Sequence, residues 1–223
     1  MNLPKAIAGL LVVLTGISPR PLNAQINLKT GYNISFLSQH GLNDLLHAWN
    51  STAQYTDEFH NLTWLHGFEA GLRYKTSIHA FELTYLGGYQ KLNASGISPT
   101  DQSTFKDKIN IAINETGLGY SISGGVIGLG AEVHYQWYKS KATIHVRPET
   151  FKHVQGMIGY ELFGTITLKG SQNIDLVLKP YYILPAESYK TEPLQDFLGI
   201  KNLISKERWN RFGISLLFYN GAK

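Results

Sequence analysis

IGLGAEVHYQW, residues 127–137, alternates apolar and polar or small side chains along its whole length. In an extended chain, one face carries only apolar and aromatic side chains. The other face carries glycines, a carboxylate, an imidazole and an amide, the last three from Glu132, His134 and Gln136. Because successive side chains of a strand point to opposite faces, this segment is predicted to be a β-strand between an apolar and a polar environment.

The same alternation recurs along the whole chain from residue 25 onward. In the fourth predicted strand the apolar set moves from the phase of Ile109 to the phase of Leu118, which predicts a β-bulge near Glu115. We expect the sixth strand to be broken at Gly164. Eight strands are predicted, around residues 26–36, 64–74, 81–91, 109–123, 127–137, 158–168, 175–184 and 209–219.

The predicted connections alternate between short and long. Strands two and three, four and five, and six and seven are joined by KTSI, SGG and GSQN, which are rich in turn-forming residues. The other connections are long and polar, at residues 38–61, 93–108, 140–155 and 190–208. Short turns at one end and long loops at the other are typical of an outer-membrane barrel. We therefore expect an all-β, eight-stranded, antiparallel up-and-down transmembrane barrel.

Charged and titratable side chains lie on the faces opposite the apolar sets. A charge on the lipid face near the bilayer midplane costs about 2 to 4 kcal/mol, so the apolar faces are expected to contact lipid and the charged faces the lumen. Eight strands enclose a lumen just wide enough to be filled by side chains. We expect a plugged lumen containing a polar network of Glu69, Arg73, Glu82, Glu132, His134, Glu161, Lys179 and Arg211.

Aromatic residues near the strand ends favour a membrane barrel over a soluble one. A soluble barrel of the lipocalin type, with its apolar side chains inside, has no need of aromatic strand ends. Membrane barrels carry aromatic girdles at both interfaces. The predicted girdle residues are Trp64, Tyr89, Trp137 and Trp209 at the loop end, and Tyr74 and Phe218 at the turn end.

The first 24 residues have the three parts of a secretory signal peptide. Lys5 precedes an apolar segment at residues 6–17, and Leu22-Asn23-Ala24 predicts cleavage before Gln25. The alternative is a buried N-terminal helix. Residues 25–223 are therefore expected to form the barrel domain. With no cysteine and a formal net charge of +4, the chain offers no thiol chemistry and little support for nucleic-acid binding.

RFGISLLF, residues 211–218, has a polar residue, a glycine, an apolar residue and an aromatic residue at Arg211, Gly213, Leu216 and Phe218. This spacing resembles the C-terminal assembly signal of outer-membrane barrels, although five residues follow Phe218. Residues 25–219 resemble the OmpA/OmpX-type barrels and the porin-family barrel-domain group. The resemblance implies a Gram-negative outer-membrane location in the cell envelope, with membrane lipid, lipopolysaccharide and the barrel-assembly machinery as partners. The group also includes adhesins, defence proteins and secretion accessories.

Catalytic and metal sites find little support in the sequence. Lipid A deacylases, which are also outer-membrane barrels, carry a His-x-Ser pair facing lipid, whereas His134 is followed by Gln136 and is predicted to face the lumen. Six histidines map to the outer loops or strand ends, without a metal-ligand spacing. We expect no catalytic residue, no metal and no cofactor. The six are His40, His47, His60, His66, His145 and His153.

Two loops carry apolar residues at helical spacing, in GLNDLLHAWN from Gly41 and PLQDFLGIKNLI from Pro193. The helices could cap the lumen, or they could dock a protein partner through Leu45, Trp49, Phe197 and Leu198. The expected function is a structural or interaction role through the outer loops, as an adhesin or accessory subunit. A narrow channel and a lipid A-modifying enzyme are the alternatives.

Overall fold

A computed structural model describes residues 24–52, 55–98, 102–171, 174–201 and 203–220. The predicted signal peptide, apart from Ala24, lies outside these ranges, as does part of the predicted GSQN turn. No helix in the described part of the chain is long and apolar enough to cross a membrane.

Eight long antiparallel strands form a closed ring. Each strand pairs with its neighbour in the chain, and the last strand pairs with the first from Leu28 opposite Asn220 to Ser38 opposite Asn210. The eight-stranded up-and-down barrel is therefore confirmed. Its strands are β1 (Ala24–Ser38), β3 (Trp64–Thr76), β4 (His79–Ile97), β5 (Thr104–Gly124), β6 (Ile127–Thr143), β7 (Phe151–Ser171), β8 (Ile174–Pro185) and β11 (Asn210–Asn220).

Shorter elements complete the outer, loop-bearing end of the barrel. Strand β2 (Tyr55–Asp57) extends the sheet beside β4, and β9 (Tyr189–Lys190) pairs with β10 (Lys206–Glu207). Helix α2 (Glu192–Leu198) begins one residue before Pro193, the residue predicted to open it, and ends where Gly199 adopts a left-handed conformation with φ of 77°. Its early end excludes Ile204 from the helix. The elements are α1 (Gly41–Thr52), β2 (Tyr55–Asp57), β9 (Tyr189–Lys190), α2 (Glu192–Leu198) and β10 (Lys206–Glu207).

The predicted bulge near Glu115 is wrong. Strand β5 pairs in unbroken register with β4 and with β6 on either side of this residue. Ile109, Ile111, Ile113 and Glu115 all point inward and are buried, whereas Leu118 points outward. The apolar phase changes because the inside of the barrel is apolar near the outer end and charged farther down.

The predicted break at Gly164 is also wrong, since β7 continues through it. Two of the four predicted long loops are largely strand: β4 reaches Ile97 and β5 starts at Thr104, while β6 reaches Thr143 and β7 starts at Phe151. The polar residues of these strand extensions face outward beyond the apolar band of the exterior. At that level the strands are expected to contact water, so they need no apolar outer face. The walls of β4 to β7 therefore extend beyond those of the other strands.

Candidate functional site: the lumen and the outer end

A layer of buried charges crosses the middle of the lumen. Lys179 Nζ lies 2.7 Å from Glu161 and 3.0 Å from Glu69, and Lys29 Nζ lies 2.6 Å from Glu82 and 3.3 Å from Glu69. Each ammonium therefore bridges carboxylates from different strands. We call this set the charged layer: Lys29, Glu69, Arg73, Glu82, Glu115, Glu132, His134, Glu161, Lys179 and Arg211, all of them buried.

The second part of the charged layer lies nearer the outer end. The Arg211 guanidinium from β11 pairs with Glu115 across the lumen. Glu115 also accepts a hydrogen bond of 2.7 Å from Gln136 Nε2, which ties β5 to β6. The His134 ring lies 3.3 Å from Glu132 and 3.4 Å from Glu161. The Arg211 pair thus joins β5 to the closing strand, while His134 of β6 lies between carboxylates of β6 and β7.

All eight side chains of the sequence-predicted network meet in this layer, but the prediction missed Lys29 and Glu115. Lys29 lies in the polar phase of β1 and could have been included on that signal. Glu115 was hidden by the predicted bulge. With them, the layer holds five carboxylates, four permanent cations and one histidine, so the opposite charges nearly balance. Such balance is what removal from water demands.

Three members of the charged layer have the geometry of a metal site. Ligand atoms of Glu132, His134 and Glu161 lie within 4.8 Å of one another, the one such group of three or more among the described residues. Lys179 Nζ lies 2.7 Å from Glu161 and 3.6 Å from Glu132. A protein cation therefore already lies between these carboxylates, and the histidines of the outer loops converge on no comparable group in the described ranges.

Above the charged layer, the lumen is filled by apolar side chains. Leu42, Leu45 and Leu46 of α1 are fully buried in one cluster with the inward residues of the surrounding strands. Trp209 packs on Tyr189 with their ring centroids 4.3 Å apart. We call this the outer apolar cluster: Leu42, Leu45, Leu46, Trp49, Phe59, Leu62, Leu65, Leu92, Ala94, Ile109, Ile111, Ile113, Tyr138, Ala142, Ile144, Met157, Tyr189, Leu194, Leu198 and Trp209.

Hydrogen bonds fasten this cluster to the wall. Trp49 Nε1 donates to the Tyr55 hydroxyl at 2.7 Å, and Tyr55 donates to Asp107 at 2.5 Å. Asp107 also accepts 2.7 and 2.9 Å bonds from the His145 backbone N–H and ring. Burial, and then the hydrogen bond to Asp107, raise the pKa of the Tyr55 phenol. One carboxylate thus holds α1, β2 and the β6–β7 turn together.

The burial of α1 and α2 corrects the docking interpretation. Leu45, Trp49 and Leu198 are buried in the outer apolar cluster, and Phe197 packs against it. Of the two functions predicted for these apolar faces, docking a partner needs them exposed, but the barrel interior covers them. The helices instead cap the lumen. Trp209 was predicted to be in the lipid girdle, yet it is 1% exposed, because it lies just before β11 and turns inward.

His134 and Gln136 occupy the places of the His-x-Ser pair of a lipid A deacylase, and the structure shows which way they point. His134 and Gln136 both point into the lumen and are buried. The amide of Gln136 donates to Glu115, so the position that a serine nucleophile would need is taken by a structural hydrogen bond.

The four residues of the predicted assembly signal divide between the two faces of β11. Leu216 and Phe218 point outward and are exposed, whereas Arg211 and Gly213 point inward. A Cβ atom built on Gly213 would lie 2.2 Å from Cζ of the Tyr181 ring. A side chain at residue 213 would therefore alter the lumen as well as the predicted assembly signal, because the Tyr181 ring occupies the side-chain space of Gly213.

Gly213→Ala is therefore expected to destabilise the barrel by about 1 to 3 kcal/mol, the usual cost of overpacking a filled interior. Urea unfolding of the refolded protein in lipid vesicles measures this change. Tyr181→Ala removes the clashing ring, so the double variant should lose less stability than the two single changes predict together. Strict additivity would show that the loss caused by Gly213→Ala does not come from contact with the Tyr181 ring.

Two of the solved structures that are similar to this chain share its fold with a TM-score above 0.5. They are crystal structures of Ail, the attachment invasion locus protein of Yersinia pestis, one of them in complex with the heparin analogue sucrose octasulfate. TM-scores are 0.52 and 0.51 and identities 9% and 11%; each match covers 89% of this chain and 98% of Ail. This chain has the fold of a small outer-membrane β-barrel. At these identities the likeness establishes the fold alone.

Other comparisons add little. A crystal structure of Neisserial surface protein A matches with a TM-score of 0.41 and 8% identity, over 88% of this chain and 96% of that protein. No model of a protein family matches the sequence, and no curated protein matches it. The structurally similar proteins belong to the outer membranes of Gram-negative bacteria.

Proposed function

We propose that this protein is a closed, non-conducting barrel of the outer membrane that acts by contact at its outer end. The role is either attachment or that of an accessory subunit in a membrane complex. The observation that carries the proposal is that the lumen is filled at two successive levels, by the charged layer and by the outer apolar cluster. With the interior occupied by its own side chains, the protein has its surface left for function.

The exterior of the barrel supports placement in a membrane after export by the N-terminal signal. Large apolar side chains are exposed on every barrel strand, such as Leu28, Phe68, Leu129 and Phe212. A water-soluble protein rarely exposes so continuous an apolar band. We propose that this band contacts lipid. Because the fold is shared with outer-membrane proteins, the membrane that we propose is the outer membrane.

The contact surface is proposed to be the exposed turns at the outer end, not the buried faces of α1 and α2. Residues 145–150 between β6 and β7 are exposed, and Val146 among them is an exposed apolar side chain. This turn is anchored by the bonds from His145 to Asp107. An attachment role also agrees with the name of the Yersinia protein, the attachment invasion locus protein, which has the same fold.

The filled lumen predicts the electrical behaviour of the purified protein. In planar lipid bilayers we expect no steady unitary current steps, because buried side chains of the charged layer and of the outer apolar cluster occupy the lumen in the described part of the chain. The cavity at the turn end, lined partly by Arg73, Asp175 and Tyr219, measures only about 150 Å³. Heat-dependent mobility in gel electrophoresis should confirm that the same sample is folded. Reproducible unitary steps would support the narrow-channel alternative instead.

Attachment is tested by expressing the full chain in a Gram-negative host that lacks it. Bacteria expressing the wild-type barrel should adhere strongly to a surface coated with animal-cell matrix. Bacteria expressing a variant whose residues 145–150 are replaced by glycine and serine should adhere less. Equal adhesion of the two strains would overturn attachment through this turn. If the mass spectrum of lipid A changed on expression, the protein would be an enzyme, and the contact proposal would fail.

A further inference from the structure

Six lysines lie on the outward face of the extended wall formed by β4 to β7, on one side of the barrel. All six are exposed, and none forms an ion pair with a described residue. The opposite wall at this end exposes Phe36, Trp64, Leu184 and Phe212 instead. We call the group the lysine patch: Lys91 on β4, Lys106 and Lys108 on β5, Lys139 and Lys141 on β6, and Lys152 on β7.

The lysine patch begins where the apolar exterior ends. On β6 the outward apolar positions run from Ile127 to Trp137, and Lys139 is the next outward residue. On β4 the outward aromatic Tyr89 is followed by Lys91. A transmembrane strand spans about 9 to 11 residues, which is the length of this segment of β6. The patch therefore lies at the level of the lipid headgroups and faces sideways, toward them.

Three lysines of the patch are closer than charge repulsion favours. Lys141 and Lys152 are directly opposite in the β6–β7 ladder, where like charges are destabilising, and Lys139 is diagonal to Lys152. The same three line a cavity of about 230 Å³ together with Asn110 and His153. A concave group of uncompensated cations fits an anionic group that enters from the side.

From this geometry we infer that the lysine patch binds the phosphate groups of an outer-leaflet lipid, with one phosphate seated between Lys139, Lys141 and Lys152. A lipid fits better than a soluble polyanion because the patch adjoins the apolar band, so that one molecule can place its phosphate on the lysines and its acyl chains on the strands below. The inference rests on the proposed outer-membrane placement. It is independent of attachment through the β6–β7 turn.

The test is a titration of the folded full chain in detergent with bisphosphorylated lipid A, followed by native mass spectrometry. Replacing Lys139, Lys141 and Lys152 with serine is expected to weaken lipid A binding about 100-fold, since each lysine near an anionic surface contributes about fivefold. Lipid A without its phosphates should bind the wild type about as weakly as bisphosphorylated lipid A binds the triple variant. The matched control removes three exposed cations outside the patch, Lys201→Ser, Lys206→Ser and Arg208→Ser, and should bind like the wild type.

Lys141→Glu guards against a folding artefact. It places a carboxylate opposite Lys152, so the barrel should keep its heat-dependent mobility while lipid A affinity falls at least tenfold. Binding of lipid A by the triple variant at wild-type strength would overturn the inference. The inference would also be overturned if the lysine patch bound sucrose octasulfate and the protein did not bind lipid A, because the ligand would then be a sulfated sugar. A barrel that refolds but does not insert into membranes would instead contradict the proposed placement.

Discussion

Lys179→Met is expected to destabilise the barrel by about 3 to 5 kcal/mol, the cost of leaving buried charges without their partner. Lys179 Nζ lies within 4 Å of three carboxylates, those of Glu69, Glu132 and Glu161. Methionine matches the length of lysine and removes the charge, so packing changes little. Urea unfolding in lipid vesicles measures the free energy.

The matched control for this substitution is Lys139→Met. It removes an ammonium from the exposed outer face and should change the unfolding free energy by less than about 0.5 kcal/mol. Adding Glu161→Gln to Lys179→Met should restore part of the lost stability, because one uncompensated carboxylate disappears. A loss below about 1 kcal/mol for Lys179→Met would mean that water reaches the charged layer and screens it.

Leu45→Ser should release α1 from the outer end while the barrel strands stay folded. Leu45 is fully buried in the outer apolar cluster, and truncating a buried leucine costs about 2 to 5 kcal/mol. If this loss falls on the docking of α1, the population of the open loop rises about 30-fold or more. Limited proteolysis of the vesicle-bound protein should then cut residues 41–52 correspondingly faster.

Ile204→Ser is the control for this prediction, since Ile204 lies at the same end of the barrel but is half exposed. Its cleavage rate should stay within about twofold of the wild type. Equal cleavage of the two variants would show that α1 does not depend on the cluster. The Leu45 result also bears on partner binding: any partner lost by this variant could be lost through release of α1, because Leu45 itself is not exposed.

Much of the fold could be predicted from the sequence because the environment changes sharply across each strand. Lipid on one side and buried charge on the other impose a strict period of two, as residues 127–137 show. The turns at Ser77-Ile78 and Gly125-Val126 were also clear, because KTSI and SGG are rich in turn-forming residues. In the structure, Ser77 and Gly125 have positive φ. Most of the charged layer followed from the same phase.

The outer end could not be predicted in this way. Above the membrane the outside is water and the inside is apolar, so the pattern of β5 reverses its faces at Glu115 without any change in backbone. A rule that assumes lipid outside interprets that reversal as a bulge. Likewise, the apolar faces of α1 and α2 predict burial but do not say against what. The answer depended on the barrel interior, formed by residues far away in the chain.

The partners in the charged layer are also far apart in sequence. Glu69 is bound by Lys179 and Ser215, which are 110 and 146 residues away, and Arg211 is 96 residues from Glu115. Contacts of such separation are slow to form, because a long loop must close first. Until β11 meets β1, the carboxylates of the early strands face an open, hydrated groove. Once the seam closes, opening it again must strip buried charges of their partners. The layer that fills the lumen thus also acts as a latch, and in kinetic terms it should make the inserted barrel slow to unfold.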